Sequence, residues 1–441
     1  WSSVGGGLAG PADSLASFDD GSGSIPALFV AGSFASAGAA AANNIARWNG
    51  TAWAPLGSGV GGAVRALVVH QGPVTQSPSL FVGGNFLLAG GLLANRIAWW
   101  GVQGWSTIGM GLTNTVNALA VFDDGGGSGP DLYIGGAFTW AGGQPASRAI
   151  AWDGQTWSSL GSGLNGPAFA MHVSGASSVA GSGLIVGGDF TTAGGQPANR
   201  VARWDGQGWS ALGSGTAGRV LALATYDDGA AGGPALYAGG EFLFAGGVPA
   251  NRLARWDGQS WSSVGSGLDG PVRALVVHND GTSFGTCLFV GGDFNTAGGI
   301  PANFIARWNG LSWSALGVGV NGSVRALAVH DDGAGNDLYV GGSFTSAGGQ
   351  LINRIARWDG DSWSLLAAQS IQPGVGPNGT VNAITSYEDG GGAGPALYIA
   401  GSFGSINIGP STISVPRVAR WRPGTWDSAG AGVPTQVNAM V

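Results

Sequence analysis

The sequence predicts an all-β fold, a β-propeller of about eight four-stranded blades, on three observations. Tryptophan recurs at Trp1, Trp53, Trp105, Trp157, Trp209, Trp261, Trp313, Trp363 and Trp426, with spacings of 52 six times, then 50, then 63. A fixed period of this length marks stacked structural units, each too small to bury its apolar face alone. Every period holds four short strand-like pieces separated by turn signals, which is the arithmetic of a propeller blade. No segment shows helical periodicity of useful length. The repeats run from end to end, so residues 1–441 are read as one repeat domain, with units starting near these tryptophans and a half unit from Trp426.

Within a unit, the first piece is an apolar alternation interrupted by small residues, as in VRALVVH (272–278) and VRALAVH (324–330). The second is typified by LYVGGSF (338–344), with a Gly-Gly pair near its end. The third is RIARWDG (354–360), and the fourth follows its tryptophan, as in WSALG (313–317). Asp-Gly or Asn-Gly joins the third and fourth pieces at 205–206, 257–258, 309–310 and 359–360. Such dipeptides tolerate positive φ and are the strongest short hairpin signal. An acidic glycine-rich loop such as FDDGGGSGP (122–130) follows the first strand, and a Gly/Pro connector, AGG-x-PAN, follows the second.

The order Leu-Tyr-Val-Gly-Gly, then an aromatic in the third strand, then tryptophan opening the fourth resembles the kelch repeat. It is more similar still to the repeats of fungal cortical cell-polarity marker proteins and related bacterial secreted proteins. Those carry GG-x-F, then N-x-IARWDG, then W-x-x-LG-x-G. The spacing departs from kelch, because Trp204 and Trp209 are five apart and kelch usually places two more residues there. The resemblance implies a β-propeller and no single molecular activity.

Eight GG-x-F strands and eight ARW-type strands stand beside nine Trp-led and nine V-x-AL strands, the last two being TWDSAG and QVNAMV. That is one strand pair more than an eight-bladed ring holds. The surplus fits a window of a longer array, a terminal segment that closes the ring by overlap, or a pair that docks on a neighbouring molecule as an unpaired edge invites. The third reading makes Trp1, Trp426, Val437 and Met440 candidate interface residues.

Composition narrows the function. Only 9% of residues are charged, all 17 basic residues are arginine, and the net charge is −7. Basic-patch nucleic-acid binding is therefore excluded, and so thinly charged a surface offers little electrostatic resistance to association. Cys287 is the only cysteine, so no intrachain disulfide forms, and the residue reads as an ordinary small core side chain. No apolar run is long enough for a transmembrane helix. The absence of an initiating methionine suggests processing, from which an extracellular or cell-surface location is inferred.

Three residue sets could carry chemistry. Paired acids recur in the loop after the first strand: Asp123 and Asp124, Asp227 and Asp228, Asp331 and Asp332. Paired carboxylates with turn carbonyls could supply some of the oxygens Ca²⁺ needs, although solvated Asx turns explain them as well. Arginines concentrate in AN-R-x-AR (Arg200 and Arg203) and V-R-AL (Arg65, Arg273, Arg325). Three residues apart on a strand, Arg200 and Arg203 are expected on opposite faces, with Asp189 or Glu241 as partners. His70, His278 and His330, with His172 close to the same place, follow the first strand where other units carry Phe or Tyr. That position therefore reads as aromatic packing.

No serine elbow, HExxH motif or phosphate loop is present, so an enzyme is not expected. Asn49, Asn321 and Asn378 match the glycosylation pattern, most simply as Asn-Gly turns. Trp140 and Phe244 replace small or polar residues in the connector and could stack on a sugar or enter an interface. Residues 367–380 and 406–416 break the repeat in the last unit. The expectation is a secreted or surface structural propeller that engages copies of itself or other surface proteins. The alternative is a carbohydrate-binding propeller, Ca-dependent if the acidic loops hold the ion.

Overall fold

The structure is a computed structural model that describes residues 8, 12–20, 26–49, 51–71, 77–126, 129–333, 335–366, 375–388, 394–407, 412–414, 417–422 and 425–427. Eight antiparallel four-stranded blades form a ring. Their first strands are Ala12–Phe18, Val60–His70, Val116–Phe122, Ala168–Ser174, Val220–Tyr226, Val272–Asn279, Val324–Asp331 and Val381–Tyr387, which define blades 1 to 8. Blade 5 is typical: Val220–Tyr226, Ala235–Gly240, Leu253–Trp256 and Trp261–Ser263 pair in that order. First strands pack on the first strands of neighbouring blades, so they line the axis and the Trp-led strands form the rim.

The ring is closed. Leu15, Val30 and Phe34 of blade 1 share one core with Ala383, Tyr387 and Tyr398 of blade 8, and the Tyr387 hydroxyl donates to the Pro26 carbonyl. Of the two surplus strands, residues 1–7 and 436–441 lie outside the described residues.

The Gly-Gly pair of the second strand does two separate things. A Cβ on the first glycine would collide with the valine that opens the next blade, at Gly83 with Val116, Gly187 with Val220, Gly239 with Val272, Gly291 with Val324 and Gly341 with Val381. At the closing seam both sides change, since Ala400 stands at the glycine position and Ala12 at the valine position. A Cβ on the second glycine would strike a carbonyl of its own blade, such as Arg219 O above Gly240. That carbonyl is pushed forward by a β-bulge one residue into each first strand.

The tryptophan period is also a blade-to-blade bond. The indole N–H of the Trp-led strand donates to the carbonyl of the residue that follows the preceding blade's rim strand: Trp105 to Leu56, Trp209 to Leu160, Trp261 to Leu212, Trp313 to Val264 and Trp363 to Leu316, at 2.5–2.8 Å. The same ring stacks across the Asp-Gly hairpin on the tryptophan of the third strand, with centroids 5.3 Å apart for Trp256 and Trp261. In the turn itself, Asp257 Oδ1 accepts the N–H groups of Gln259 and Ser260 at 2.8 and 2.7 Å.

The connector after the second strand holds more structure than its Gly/Pro composition announces. In most blades it is a miniature hairpin, such as Phe244–Ala245 with Val248–Pro249, turned by Gly246 and Gly247 at φ 62° and 82°. Two consecutive positive φ values are the signature of a type I′ turn. The residue before each third strand is also left-handed, from Asn44 at φ 62° to Arg417 at φ 68°. Arg200, at φ 63°, therefore precedes its strand Val201–Trp204. The expected alternation between Arg200 and Arg203 does not apply, because the left-handed residue breaks it.

The role of the first glycine is directly testable. Gly239→Ala should lower stability by about 1–3 kcal/mol, the usual cost of overpacking a closed interior. Gly208→Ala, where a Cβ meets nothing within 4 Å, should be neutral. Urea midpoints of the two variants check this, and equal midpoints would refute it.

Candidate functional site

Antiparallel connectivity gives the ring two faces. One carries the acidic loops and the Asp-Gly turns, and the other carries the connector hairpins and the crossings between blades. The acidic loops are tied down by their own blades. The Tyr133, Tyr237 and Tyr339 hydroxyls donate to Asp124, Asp228 and Asp332 at 2.8, 2.7 and 3.1 Å. The third-strand arginine then pairs with the same carboxylate in blade 5 (Arg255 with Asp228) and blade 7 (Arg357 with Asp332, 3.3 Å). Equivalent pairs join Arg47 to Asp20 and Arg307 to Asp280.

Burial alone would raise the Asp228 carboxyl, but Arg255 and Tyr237 hold it below the usual carboxylate range. The other acid of each pair turns away: Asp123, Asp227 and Asp331 cap their own loops by accepting the N–H of Gly125, Gly229 and Gly333. Asp124, Asp228 and Asp332 lie in three different blades, and among the described residues no three His, Cys, Asp or Glu side chains gather as a metal site would require.

Among the described residues three blades depart from the pairing. In blade 4 the loop acids are missing and Arg203 donates instead to the Ala180 carbonyl at 3.1 Å. In blade 2 the arginine is replaced by Trp99 and the loop acids are missing too, so the substitution is balanced. In blade 3 the arginine is replaced by Ala151 while the acids remain. Removing one partner of a buried ion pair ordinarily costs about 3–5 kcal/mol. The space left beside Asp124 is an open cleft of ≈ 420 Å³ lined by Asp124, Asp131, Tyr133, Ala151 and, from blade 4, Trp204.

The first-strand arginines do not form a free basic ring. Arg65 donates to Asn117 of the next blade at 3.0 Å, Arg325 to Asn382 at 3.4 Å, and Arg273 to Asp293 at 2.7 Å. Asp189 pairs with Arg219 at 3.1 Å and approaches Arg200 at 3.7 Å, whereas Glu241 approaches Arg219 at 3.8 Å.

Three histidines sit where the aromatic alternation puts them. His70, His278 and His330 lie against Phe81, Phe289 and Tyr339, as Phe18 and Tyr226 lie against Phe29 and Tyr237. His172 is two residues earlier in its strand, where its Nε2 meets Thr225 Oγ1 at 3.3 Å, and Ser174 holds the aromatic position. Cys287 is buried at the start of its strand.

The other face holds most of the exposed large apolar side chains, although the most exposed of all, Leu311 at 87%, follows an Asn-Gly turn on the first face. Where blade 4 reads TTAGGQP, blade 2 reads LLAGGLL, so its hairpin displays Leu87, Leu88, Leu92 and Leu93, the last 64% exposed. Met110 leaves blade 2 beside this hairpin, with its carbonyl accepting from Asn95 Nδ2 at 2.9 Å. Its methyl group lies where a Cβ on Gly143 would be, within the hairpin of blade 3 that bears Trp140, itself 48% exposed. Leucines 87–93, Met110 and Trp140 thus form one apolar ridge across two blades. The aromatics stand out in the sequence because they are rare. The leucines escape notice because leucine is common, and only comparison of the unit with its sisters exposes them.

Of the expected interface residues, Trp1, Val437 and Met440 lie outside the described residues, and Trp426 is on the rim strand Thr425–Asp427 of blade 8. The two irregular segments of blade 8 do meet: Gly376–Pro377 pairs with Ser405–Asn407, which pairs with Thr412–Ser414 in a small extra sheet.

A family model described as a domain of unknown function (DUF5122) β-propeller matches residues 183–206, the second and third strands of blade 4. No curated protein matches the sequence. Among solved structures, the extracellular domain of a one-component system of B. thetaiotaomicron is similar at 9% identity and a TM-score of 0.38, over 95% of this chain and 52% of that one. The chain thus spans about half of that structure. BBS1N in complex with ARL6DN is similar at 12% identity and a TM-score of 0.38, over 77% and 94% of the two chains. The GH74 xyloglucanase of Xanthomonas campestris gives 14% identity and a TM-score of 0.21, over 96% and 71%.

Burial lowers the pKa of the His70 imidazole, so the unfolded chain takes up that proton first as pH falls below about 6.5. The stability from the neutral ring is complete above that pH and is lost as pH falls toward the folded value. Thermal unfolding should show a falling midpoint between pH 7 and 5.5. His70→Phe, the residue of sister blades, should flatten that fall, each histidine contributing at most about 1.4 kcal/mol per pH unit. An unchanged slope would contradict the assignment.

Proposed function

We propose that this chain is an extracellular interaction propeller, a binding module that joins protein surfaces through the ridge on blades 2 and 3. The observation that carries the reading is the replacement of polar connector residues by four exposed leucines, flanked by Met110 and Trp140. Apolar side chains clustered on a rigid edge favour burial against another surface. The low charge of the chain does nothing to oppose association. A second copy of this chain is the first partner to test, since the ridge is self-complementary in character. The exposed ring of Trp140 favours a second reading, in which it stacks on a sugar.

Exchanging the ridge for its sister sequence separates these readings. A variant carrying Leu87→Thr, Leu88→Thr, Leu92→Gln and Leu93→Pro adopts the connector of blade 4. Sedimentation velocity across a concentration series should show the native chain associating and the variant weakened about tenfold or more, given roughly 25 cal/mol for each Å² of apolar surface buried. Its thermal midpoint should not change. A native chain that stays monomeric throughout would contradict self-association. Sugar binding abolished by Trp140→Ala in that monomer would favour the second reading.

A further inference from the structure

The left-handed residue before the third strand is arginine in six blades and Asn44 in blade 1. In three of these blades its side chain crosses to the next blade and donates to the carbonyl 16 residues on. Asn44 Nδ2 meets Val60 O at 2.6 Å, and Nη1 of Arg148 and Arg200 meets Leu164 O and Thr216 O at 3.3 and 3.5 Å. In blade 6 the residue is Phe304, at φ 71°, which has no side-chain donor. The equivalent carbonyl belongs to buried Val320, whose N–H donates to Asn303 at 3.1 Å. Among the described residues no side chain donates to the Val320 oxygen.

A second substitution falls at the same place. The crossing from blade 6 to blade 7 reads GVG at 317–319, where four other crossings read GSG. Val318, 62% exposed, and the Phe304 ring, which packs on the core shared by blades 6 and 7, line an open pocket of ≈ 400 Å³. Val320, Asn321 and, from the connector of blade 7, Ser346 continue its wall, and none of the lining residues is charged. Asn321 is already engaged: its Oδ1 accepts the N–H groups of Thr345 and Ser346, and its Nδ2 donates to Thr345 Oγ1. The polar groups left to a ligand are the Val320 carbonyl and the Ser346 hydroxyl. An arginine and a serine of the sister units have thus given way to an aromatic floor, an apolar side and an uncapped acceptor.

We propose that this pocket binds one pyranose ring with equatorial hydroxyls, as part of a neutral sugar. Such a ring presents C–H groups on its faces, which pack against the negative face of an aromatic ring, and hydroxyls around its edge. One hydroxyl donating to Val320 O replaces the bond that arginine makes in the sister blades, and Ser346 is available to a second. The volume falls in the range of roughly 300–1,000 Å³ usual for small-molecule sites. An ion finds no opposite charge here, and a wholly apolar ligand would leave the buried carbonyl without a donor. The site joins blades 6 and 7, whereas the leucine ridge is on blades 2 and 3, so it does not rest on the association proposed above.

Saturation-transfer difference NMR of the full chain with methyl β-D-glucopyranoside tests the proposal. The native chain should transfer saturation to the C–H protons of the sugar ring. Phe304→Arg, which restores the residue of six sister blades, should weaken binding about tenfold or more and should not lower the thermal midpoint. Val318→Ser, the residue of four sister crossings, should weaken it about threefold through lost apolar contact, and decides alone if Phe304→Arg does not fold. Trp140→Ala should leave binding unchanged, which separates this site from sugar stacking on the ridge. Cellotriose distinguishes the sources: tighter binding than the monosaccharide identifies a polysaccharide chain, and equal binding a single terminal ring. The proposal is overturned if the glycoside receives no saturation, if both pocket variants bind it as well as the native chain, or if Trp140→Ala abolishes binding. It is also overturned if N-acetylphenylalanine amide displaces the glycoside and binds more tightly, since the occupant would then be a peptide side chain.

Discussion

Close approach of neighbouring sheets, permitted by a glycine facing a valine, is the constraint on which the rest of this structure depends. Blades standing around an axis are nearest at their first and second strands, where a pair of ordinary side chains would force them apart. A missing Cβ on one sheet and a branched side chain on the next fill that space without overlap. Farther out, where the blades diverge, the gap is wider and tryptophan fills it, stacking within its blade and donating across to the preceding one. Small residues inside and large ones outside make one wedge, with glycine facing valine at five of the seams; Gly135 of blade 3 instead faces Ala168 and Met171, and Ala31 stands at the glycine position of blade 1. The seam between blades 8 and 1 uses Ala400 and Ala12 in place of glycine and valine, so there two small side chains share the space that glycine and valine fill elsewhere.

Because this wedge fixes the interior, most positions have little freedom to differ between units. Departures from the pattern are therefore the informative ones. Blade 2 exchanges its arginine for Trp99 and loses its acids together, leaving no charge imbalance. Blade 3 keeps Asp124 and Asp131 but not the arginine, and a cleft results. The four leucines of blade 2 face outward, where the wedge makes no demand, so the ring itself has no use for them. Blades 2 and 3 thus differ from their sisters on both faces, while blades 5 and 6 keep the common Arg–Asp pair.

Much of this fold was legible in the sequence because its signals are either local or repeated at a fixed period. The Asp-Gly hairpins and the alternating first strand depend on residues within a few places of one another, whereas the tryptophan period and the aromatic nature of the histidine position emerge from comparing units about 52 residues apart. The connector hairpins were less visible, although a Gly-Gly turn such as 246–247 carries a known hairpin signal. Each arm is only two residues long, too short for an alternation to show. Arg200 was misplaced because nothing in its neighbours announces a left-handed arginine. The ion pairs were harder still. Asp228 and Arg255 are 27 residues apart, and their meeting follows from strand order within the blade. Once that order is known, the mismatch at Ala151 can be read directly from the sequence.

The central claim is that units which break the repeat on the surface are the ones that make contact. Hydroxyl-radical footprinting of the native chain at low and high concentration tests it most directly, because it reports every exposed side chain at once. The account predicts protection at high concentration confined to Leu87, Leu88, Leu92, Leu93, Met110 and Trp140, with the equivalent connectors of blades 4 and 6 unchanged. Protection spread evenly over all eight connectors, or confined to another part of the ring, would contradict it.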